Sequence, residues 1–198
     1  MPRVSKAEAE KNRAIIEQVS SRLFREQGFH GISVADLMGA AGLTHGGFYG
    51  HFESKDALAA IACTRAFEES EARWRKRVDD APDHTAALTA LIDGYLSTRN
   101  RNSAGTGCPV AALANDVARE PDNKPVRAAF HDGLGNLLEI LSGIQTGPDD
   151  AANRSTALAQ MATLAGALML ARATQGTPLS NEVLTAARSF LLAQVVES

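Results

Sequence analysis

Apolar residues recur at steps of three and four along almost the whole chain, which is the spacing of one face of an α-helix. The first such segment carries Ile15, Ile16, Val19, Leu23 and Phe24. Similar segments follow, separated by Gly, Pro and clusters of polar residues. No segment alternates apolar and polar residues as a half-buried strand does, and no internal repeat is found. The sequence therefore predicts an all-α fold of about nine helices.

Composition narrows the class of protein further. The 198 residues, 44% of them hydrophobic, suffice for a packed core, and two cysteines are too few for a disulfide framework. The start of the chain lacks the apolar segment of a signal peptide, and no apolar run reaches the roughly 18 residues of a membrane span. A cytoplasmic protein without membrane contact is expected. The net charge of −3 divides into +1 for residues 1–55 and −4 for residues 56–198, so charge by itself nominates neither part as a nucleic-acid surface.

Capping residues predict where the first helices begin and end. Ser33 is followed by Asp36, which is the spacing of a capping box, and Thr44 and Ser54 are further N-cap candidates. Gly42 is placed as the left-handed residue that ends the second helix. The second and third helices are therefore joined by a short turn, as in a helix-turn-helix unit.

A helix-turn-helix unit indicates DNA binding, because its second helix lies in the major groove with its N-terminal residues towards the base edges. Side chains that follow can donate hydrogen bonds to phosphates. The residues placed to contact double-stranded DNA, first those near the bases and then the phosphate donors, are Thr44, His45, Gly46, Gly47, Tyr49, His51 and Lys55.

Residues 13–58 resemble the DNA-binding domain of the TetR/AcrR family of bacterial transcriptional regulators. The motifs that carry the resemblance are Leu23-Phe24, Gly28-Phe29, the turn glycine Gly42, the run Phe48-Tyr-Gly-His-Phe52 and the end Ser54-Lys-Asp-Ala-Leu58. By position, the seven residues named above match the family's contacts to bases, DNA backbone and phosphates.

The resemblance implies an organisation and a mechanism for the whole chain. A helix-turn-helix DNA-binding domain is expected at residues 1–55, and a larger helical ligand-binding and dimerisation domain at residues 56–198. The expected protein is a homodimeric repressor that binds operator DNA at the nucleoid of the bacterial cytoplasm. A small-molecule inducer would release it from the DNA.

Two positions depart from what a recognition helix usually offers. Gly46 and Gly47 place two glycines in a helix of about six residues, and each costs roughly 1 kcal/mol relative to alanine. Ala35, early in the second helix, cannot hydrogen-bond a base. Sequence readout is therefore expected to depend on Thr44 and His45 or on the shape of the DNA.

The candidate ligand pocket is assigned to residues of the C-terminal domain that stand at helical spacing, most of them aromatic or apolar. They are expected to line a cavity between helices, and they are Phe67, Trp74, Tyr95, Cys108, Leu113, Phe130, Leu134, Met161 and Leu164. The basic run Arg73, Arg75, Lys76 and Arg77 is interpreted as a solvated helix face, and residues 99–107 as a polar loop.

The candidate dimer interface lies on the last two helices, the second of which is expected to begin after a Ser180 cap. Small and apolar residues on these helices would allow close approach to the same helices of a second copy. The assigned residues are Leu158, Met161, Ala165, Leu168, Met169, Leu184, Ala187, Phe190, Leu191 and Val195.

Other interpretations stay open at this point. Cys108 precedes Pro109 at the start of a helix, where exposed N–H groups lower the pKa of a thiol, so an electrophile-sensing or redox-sensing regulator is one alternative. A helical adaptor that kept the fold and lost DNA binding is another. An enzyme is not expected, because the sequence has no metal-ligand spacing, no phosphate-binding loop and no Ser/His/Asp set. Neither a metal nor a cofactor is predicted.

Overall fold

The computed structural model describes residues 5–196. Within this range the chain forms helices and no β-strand, which confirms the predicted all-α class and the number of α-helices. Two 3-10 helices lie between them, at His45–Gly50 and Ala104–Thr106. The α-helices are α1 (Lys6–Gln27), α2 (Val34–Ala40), α3 (Lys55–Asp79), α4 (His84–Tyr95), α5 (Thr98–Asn102), α6 (Pro109–Arg119), α7 (Pro125–Gly143), α8 (Asp150–Ala173) and α9 (Pro178–Val196).

The predicted caps near the N-terminus are present with one exception. Ser33 and Asp36 form the capping box: the Ser33 hydroxyl accepts from the Asp36 N–H at 3.1 Å, and the Asp36 carboxylate accepts from the Ser33 N–H at 3.1 Å. The Ser54 hydroxyl caps α3 by accepting from the Ala57 N–H at 3.1 Å. The side chain of Thr44 makes no capping hydrogen bond. The Gly47 N–H, which such a cap would use, instead donates to the Thr44 carbonyl at 3.0 Å.

Two other expectations about helix ends are wrong. Residues 99–107 are not a loop throughout, because Ser97 caps the short helix α5 through the Asn100 N–H at 3.1 Å and a 3-10 turn follows. Ser180 does not cap the last helix, which begins at Pro178. The Ser180 side chain is buried and donates to the Ala171 carbonyl at 2.6 Å, which satisfies its hydroxyl inside the core.

One continuous apolar core runs from α1 to α9. Helices α3 and α7 lie against each other over much of their length. Their closest approach is at Gly133 of α7, where an added Cβ would lie 2.2 Å from a ring carbon of Phe67 on α3. The Phe67 ring also packs edge-on against Phe130, with centroids 5.3 Å apart. This contact fixes α3, which carries one wall of the cavity described below.

The first helices are attached to the rest of the chain by polar contacts with α6 and the segment after it. The Phe29 N–H donates to Asp116 Oδ2 at 3.1 Å, and His30 Nε2 lies 2.7 Å from Glu120 Oε1. The predicted domain boundary falls at the first residue of α3 and remains a prediction. Helix α6 thus touches the N-terminal helices directly.

Arg25 is a buried cation at the centre of this attachment, with 5% of its surface exposed. Its guanidinium donates to the Ser21 carbonyl at 3.0 Å, to the Gly107 carbonyl at 3.1 Å and to Glu69 Oε2 at 2.8 Å. Since these partners lie on α1, just before α6, and on α3, one side chain joins three parts of the fold.

Helix α8 is long and apolar enough to cross a membrane by length and composition alone. In the fold, 44% of its most apolar stretch is buried inside the protein. Its hydrophobicity is accounted for in part by the core, to which Leu164 and Leu168 contribute fully buried side chains.

Candidate functional site

The helix-turn-helix is held in place by buried side chains beneath its turn. Gly42 has a φ of 72°, the left-handed conformation predicted for the end of α2. The Leu43 N–H then donates to the Met38 carbonyl at 2.9 Å. The Phe48 side chain is buried, and its ring centroid lies 5.7 Å from that of Phe52. The 3-10 helix His45–Gly50 is therefore anchored from below.

The residues predicted to contact bases lie together on the outer side of this anchor. His45, Gly46 and Gly47 are exposed, as is Thr44 before them. Tyr49 is 70% exposed, which is unusual for a large aromatic side chain, and its ring is held edge-on by Phe48 at 5.2 Å. A rigid scaffold thus presents a short polar segment with one exposed aromatic hydroxyl.

The recognition element is a six-residue 3-10 helix and not a regular α-helix. Two of its first three residues are Gly46 and Gly47, which disfavour helical geometry relative to alanine. An added Cβ at Gly46 would have no heavy atom within 4 Å, so neither packing nor a side chain stabilises this turn from outside. The short helix follows from these two residues, as the sequence suggested.

Lys55 and His51, the other two predicted phosphate donors, are both half-buried and both make hydrogen bonds within the protein. Lys55 is half-buried, and its ammonium donates to the Ile32 carbonyl at 2.6 Å. His51 is half-buried, and its carbonyl accepts from Arg13 at 2.6 Å. The guanidinium carbon of Arg13 lies 4.6 Å above the Phe52 ring. Arg13 thus adds a cation beside the predicted DNA-contacting residues. The sequence did not predict this, because the spacing of residues along α1 does not distinguish Arg13 from other exposed residues.

A cavity of about 640 Å³ opens between α3, α4, α5 and the start of α6. Trp74 and Tyr95 form an aromatic pair in its wall, with ring centroids 6.1 Å apart at 76°. The residues that line it are Ser70, Arg73, Trp74, Arg77, Gly94, Tyr95, Ser97, Arg99, Asn100, Ser103, Thr106 and Cys108. Its volume is in the range of sites for small molecules.

Only three of the predicted pocket residues line this cavity: Trp74, Tyr95 and Cys108. The others belong to the core around it because they face neighbouring helices. Phe67 and Phe130 pack on each other. Leu113, Met161 and Leu164 are buried, and Leu134 is half-buried against the core.

The interpretation of the basic run on α3 as a solvated helix face is correct for two of its four residues. Arg75 and Lys76 are solvated and pair with Glu71 and Asp80, both at 2.9 Å. Arg73 and Arg77 line the cavity instead. Their i, i+4 spacing, with Ser70 three residues earlier, places them on one helix face, and this signal was available in the sequence.

The thiol of Cys108 is not the reactive group that a sensor requires. Cys108 does precede α6 as predicted, but it is only 4% exposed. Burial raises the pKa of its thiol, and this outweighs the lowering by contacts with Tyr95 and the N–H groups of Val110 and Ala111. Burial likewise raises the pKa of Cys63 to about 12. A raised pKa suppresses the thiolate, which is the reactive form.

The hydroxyl of Tyr95 is buried without a conventional partner. The side chain is 3% exposed, and within residues 5–196 no atom meets its hydroxyl with hydrogen-bond geometry. The neighbouring Cys108 thiol is close enough to add to the rise that burial causes in the pKa of Tyr95. The hydroxyl is therefore enclosed within the wall of the cavity, beside the Cys108 thiol.

We expect Tyr95→Phe to keep or raise the free energy of unfolding, by up to about 1 kcal/mol, since it removes a buried polar group that lacks a partner. Urea unfolding measures the change. Tyr49→Phe, which removes an exposed hydroxyl, serves as the control and should be neutral. A loss of more than about 1 kcal/mol in Tyr95→Phe would show that the hydroxyl is hydrogen-bonded after all.

No group of three or more His, Cys, Asp or Glu side chains that could hold a metal ion occurs among the residues the structure describes. The candidate site has two parts: the exposed polar segment on the helix-turn-helix, and the cavity near the start of α6.

Comparison with known proteins places both parts in one family. The sequence profile described as "Bacterial regulatory proteins, tetR family" matches residues 16–61. An uncharacterised HTH-type transcriptional regulator of Mycobacterium tuberculosis is 30% identical over 88% of this chain and 91% of its own length. The HTH-type transcriptional repressor DhaR of a Mycobacterium species is 28% identical over 50% of this chain and 48% of its own.

The fold agrees with that assignment. The crystal structure of a TetR transcriptional regulator from Chloroflexus aurantiacus superposes with a TM-score of 0.80 at 24% identity, covering 97% of this chain and 98% of its own. The helix-turn-helix, the full-length relative and the shared fold agree, and the chain belongs to the TetR family of HTH-type transcriptional regulators and is not an enzyme.

Proposed function

We propose that the protein is a dimeric repressor, which binds operator DNA through residues 44–55 and is released by a small molecule in the cavity at the start of α6. The exposed segment Thr44–Tyr49 on its buried scaffold carries the proposal. Repression is supported by one similar protein that is named a repressor. The protein would act in the bacterial cytoplasm, at the nucleoid when bound to DNA.

Helix α6 is the proposed link between ligand and DNA. At its start, Cys108 lines the cavity. Near the end of α6, Asp116 contacts Phe29. Glu120, which directly follows the helix, contacts His30, and both contacted residues lie next to the helix-turn-helix. A ligand that shifts the start of α6 would also move these contacts. The ligand would reorient the DNA-binding segment by favouring whichever of two protein conformations binds the ligand more tightly. The size of the shift depends on the difference between the two affinities.

The proposed dimer uses the outward part of α8 and α9. Exposed apolar side chains on these helices are Leu158, Met169, Leu170, Leu179 and Phe190, the last 57% exposed. A second copy of the same surface would cover them, as isologous interfaces do. Leu170 was not among the predicted residues, although it adjoins Met169.

Half of the predicted interface residues face the core of their own protomer. The structure buries Met161, Ala165, Leu168, Leu184 and Leu191, so they support the helices from behind and do not face a partner. Ala187 and Val195 are half-buried and lie at the edge of the core.

We expect Tyr49→Ala to weaken binding to operator and to random DNA by the same factor, about tenfold, because a phosphate contact carries no sequence information. Fluorescence anisotropy measures it with the DNA upstream of the protein's own gene and with a random duplex. The free energy of unfolding should not change, since the side chain is largely exposed. His84→Ala, an exposed change at the start of α4, is the matched control.

Three outcomes would contradict this assignment. A change of preference at a single base pair would make Tyr49 a base contact, and full retention of affinity would remove it from the interface. Failure of the wild-type protein to bind any neighbouring operator sequence at low salt would favour an adaptor that lost DNA binding.

A further inference from the structure

The cavity at the start of α6 is lined by cations without anions. Arg73, Arg77 and Arg99 line it, and none of its twelve lining residues is Asp or Glu. The rest of the lining is neutral, with hydroxyl, amide and aromatic side chains. Arg73 and Arg77 are half-buried, whereas Arg99 is exposed. Because removing a charge from water is costly unless it is paired, the absence of a carboxylate beside the two half-buried arginines calls for an explanation.

The nearest carboxylates are engaged elsewhere. Glu69 pairs with Arg25 at 2.8 Å and with Arg65 at 3.4 Å. Glu71 pairs with Arg75 at 2.9 Å on the solvated side of α3. Within residues 5–196, neither of these two carboxylates forms a direct ion pair with Arg73 or Arg77.

The cavity arginines themselves have only neutral partners or none. Arg73 donates to the Ser70 hydroxyl at 2.9 Å. Across residues 5–196, Arg77 and Arg99 make no hydrogen bond and no ion pair. The Arg77 guanidinium lies against Gly94, where an added Cβ would be 2.8 Å from its central carbon, so the glycine leaves room for it. Burial and the nearby Arg25 lower the pKa of Arg73, and the attraction of Glu69, which acts in the opposite direction, is smaller than either.

A second observation concerns the wall of the same cavity. The buried Tyr95 hydroxyl lacks a partner with hydrogen-bond geometry among the described residues, and it lies in the cavity wall. Its ring and that of Trp74 form an apolar surface beside the arginines. The cavity thus combines cationic donors with aromatic faces.

We infer that this cavity binds an organic oxyanion, a carboxylate or a phosphate ester attached to an apolar body. Guanidinium groups present paired N–H donors that match the oxygens of either group. Arg77 can supply such a pair, and Arg73 keeps N–H groups besides the one that donates to Ser70. The apolar body would lie on Trp74 and Tyr95. The inference rests on the proposed function, since it names the chemical class of the proposed inducer.

The test uses three compounds with one phenylbutyl body: 4-phenylbutyrate, 4-phenylbutyl phosphate and the neutral 4-phenylbutyramide. Trp74 is the single tryptophan of the chain and lines the cavity, so its fluorescence reports binding directly. We expect at least one of the two anions to bind about tenfold more tightly than the amide, a difference of about 1.4 kcal/mol. Whichever anion binds more tightly identifies the source of the oxyanion.

Substitutions of single arginines test which side chain binds the anion. Arg77→Gln should weaken binding of the anion about tenfold and leave the amide unchanged, because it removes a charge that has no partner within the fold. Arg99→Gln, an exposed change at the cavity, is a second variant. Arg75→Gln, on the same helix but paired with Glu71, is the control and should bind like the wild type. Thermal unfolding checks that all three variants remain folded.

Equal affinity for anions and amide, absence of binding by both anions, or an equal loss in Arg75→Gln would overturn the inference. A separate measurement distinguishes this inference from the proposed function. It compares operator binding with and without 4-phenylbutyrate or 4-phenylbutyl phosphate. If the anion binds through Arg77 and DNA affinity does not change, the ligand class holds and the ligand-responsive mechanism is wrong.

Discussion

Arg25→Met is expected to lower the free energy of unfolding by about 3 kcal/mol, the lower end of the cost of breaking a buried ion pair. The variant leaves the Gly107 carbonyl without its donor and Glu69 with Arg65 as its remaining ionic partner. Glu69 is about one-third exposed, which places the cost at the lower end. Urea unfolding followed by circular dichroism measures the change.

Arg75→Met is the matched control for this prediction. Arg75 also pairs with a carboxylate on α3, but it is exposed, so its removal should cost no more than about 0.5 kcal/mol. Equal effects of the two variants would mean that Arg25 contributes as a surface charge and does not hold α1 to α6. A loss of operator affinity in Arg25→Met at temperatures where it remains folded would further support the link through α6.

Gly133→Ala is expected to destabilise the protein by about 1–3 kcal/mol, although alanine is the better helix former. Its Cβ would lie 2.2 Å from the Phe67 ring, and Phe67 is itself held by Phe130. Helices α3 and α7 would have to separate or the ring would have to leave its position. Thermal and urea unfolding both measure the effect.

Gly135→Ala, two residues further along α7, is expected to stabilise the protein instead. An added Cβ there has no heavy atom within 4 Å, so only the helix preference remains, and the variant should gain up to about 1 kcal/mol. If Gly133→Ala were as stable as Gly135→Ala, the contact between α3 and α7 would be looser than the structure shows.

Local signals made the helix-turn-helix predictable. The Ser33–Asp36 capping box, the left-handed Gly42 and the exposed Tyr49 each depend on a few neighbouring residues, and each is where the sequence placed it. The glycine pair also indicated a weak recognition helix, which is a 3-10 turn in the structure. Such features follow from backbone geometry and need no knowledge of distant contacts.

The cavity could not be predicted in the same way because it depends on which helices meet. Arg25 and Gly107 are 82 residues apart, and no periodicity relates them. Aromatic and apolar spacing identified Phe67, Leu113 and Leu164 as candidates, but such spacing marks core and cavity residues alike. Half of the residues predicted for the dimer interface are buried in their own protomer for the same reason, since Met161 and Leu168 share the apolar character of the exposed Leu158.

The glycines of the 3-10 helix His45–Gly50 leave part of the proposed DNA-binding surface without side chains. Gly46 and Gly50 have open space where a Cβ would stand, and Gly47 has only an ordinary contact with Met38 at 3.7 Å. A new side chain at any of them would be accommodated by the fold and would tend to stabilise the turn. One good base contact discriminates by about 1–3 kcal/mol, so single substitutions here can redirect the regulator to new operators. The target repertoire of such a protein can therefore diverge quickly while its fold and its ligand cavity stay the same.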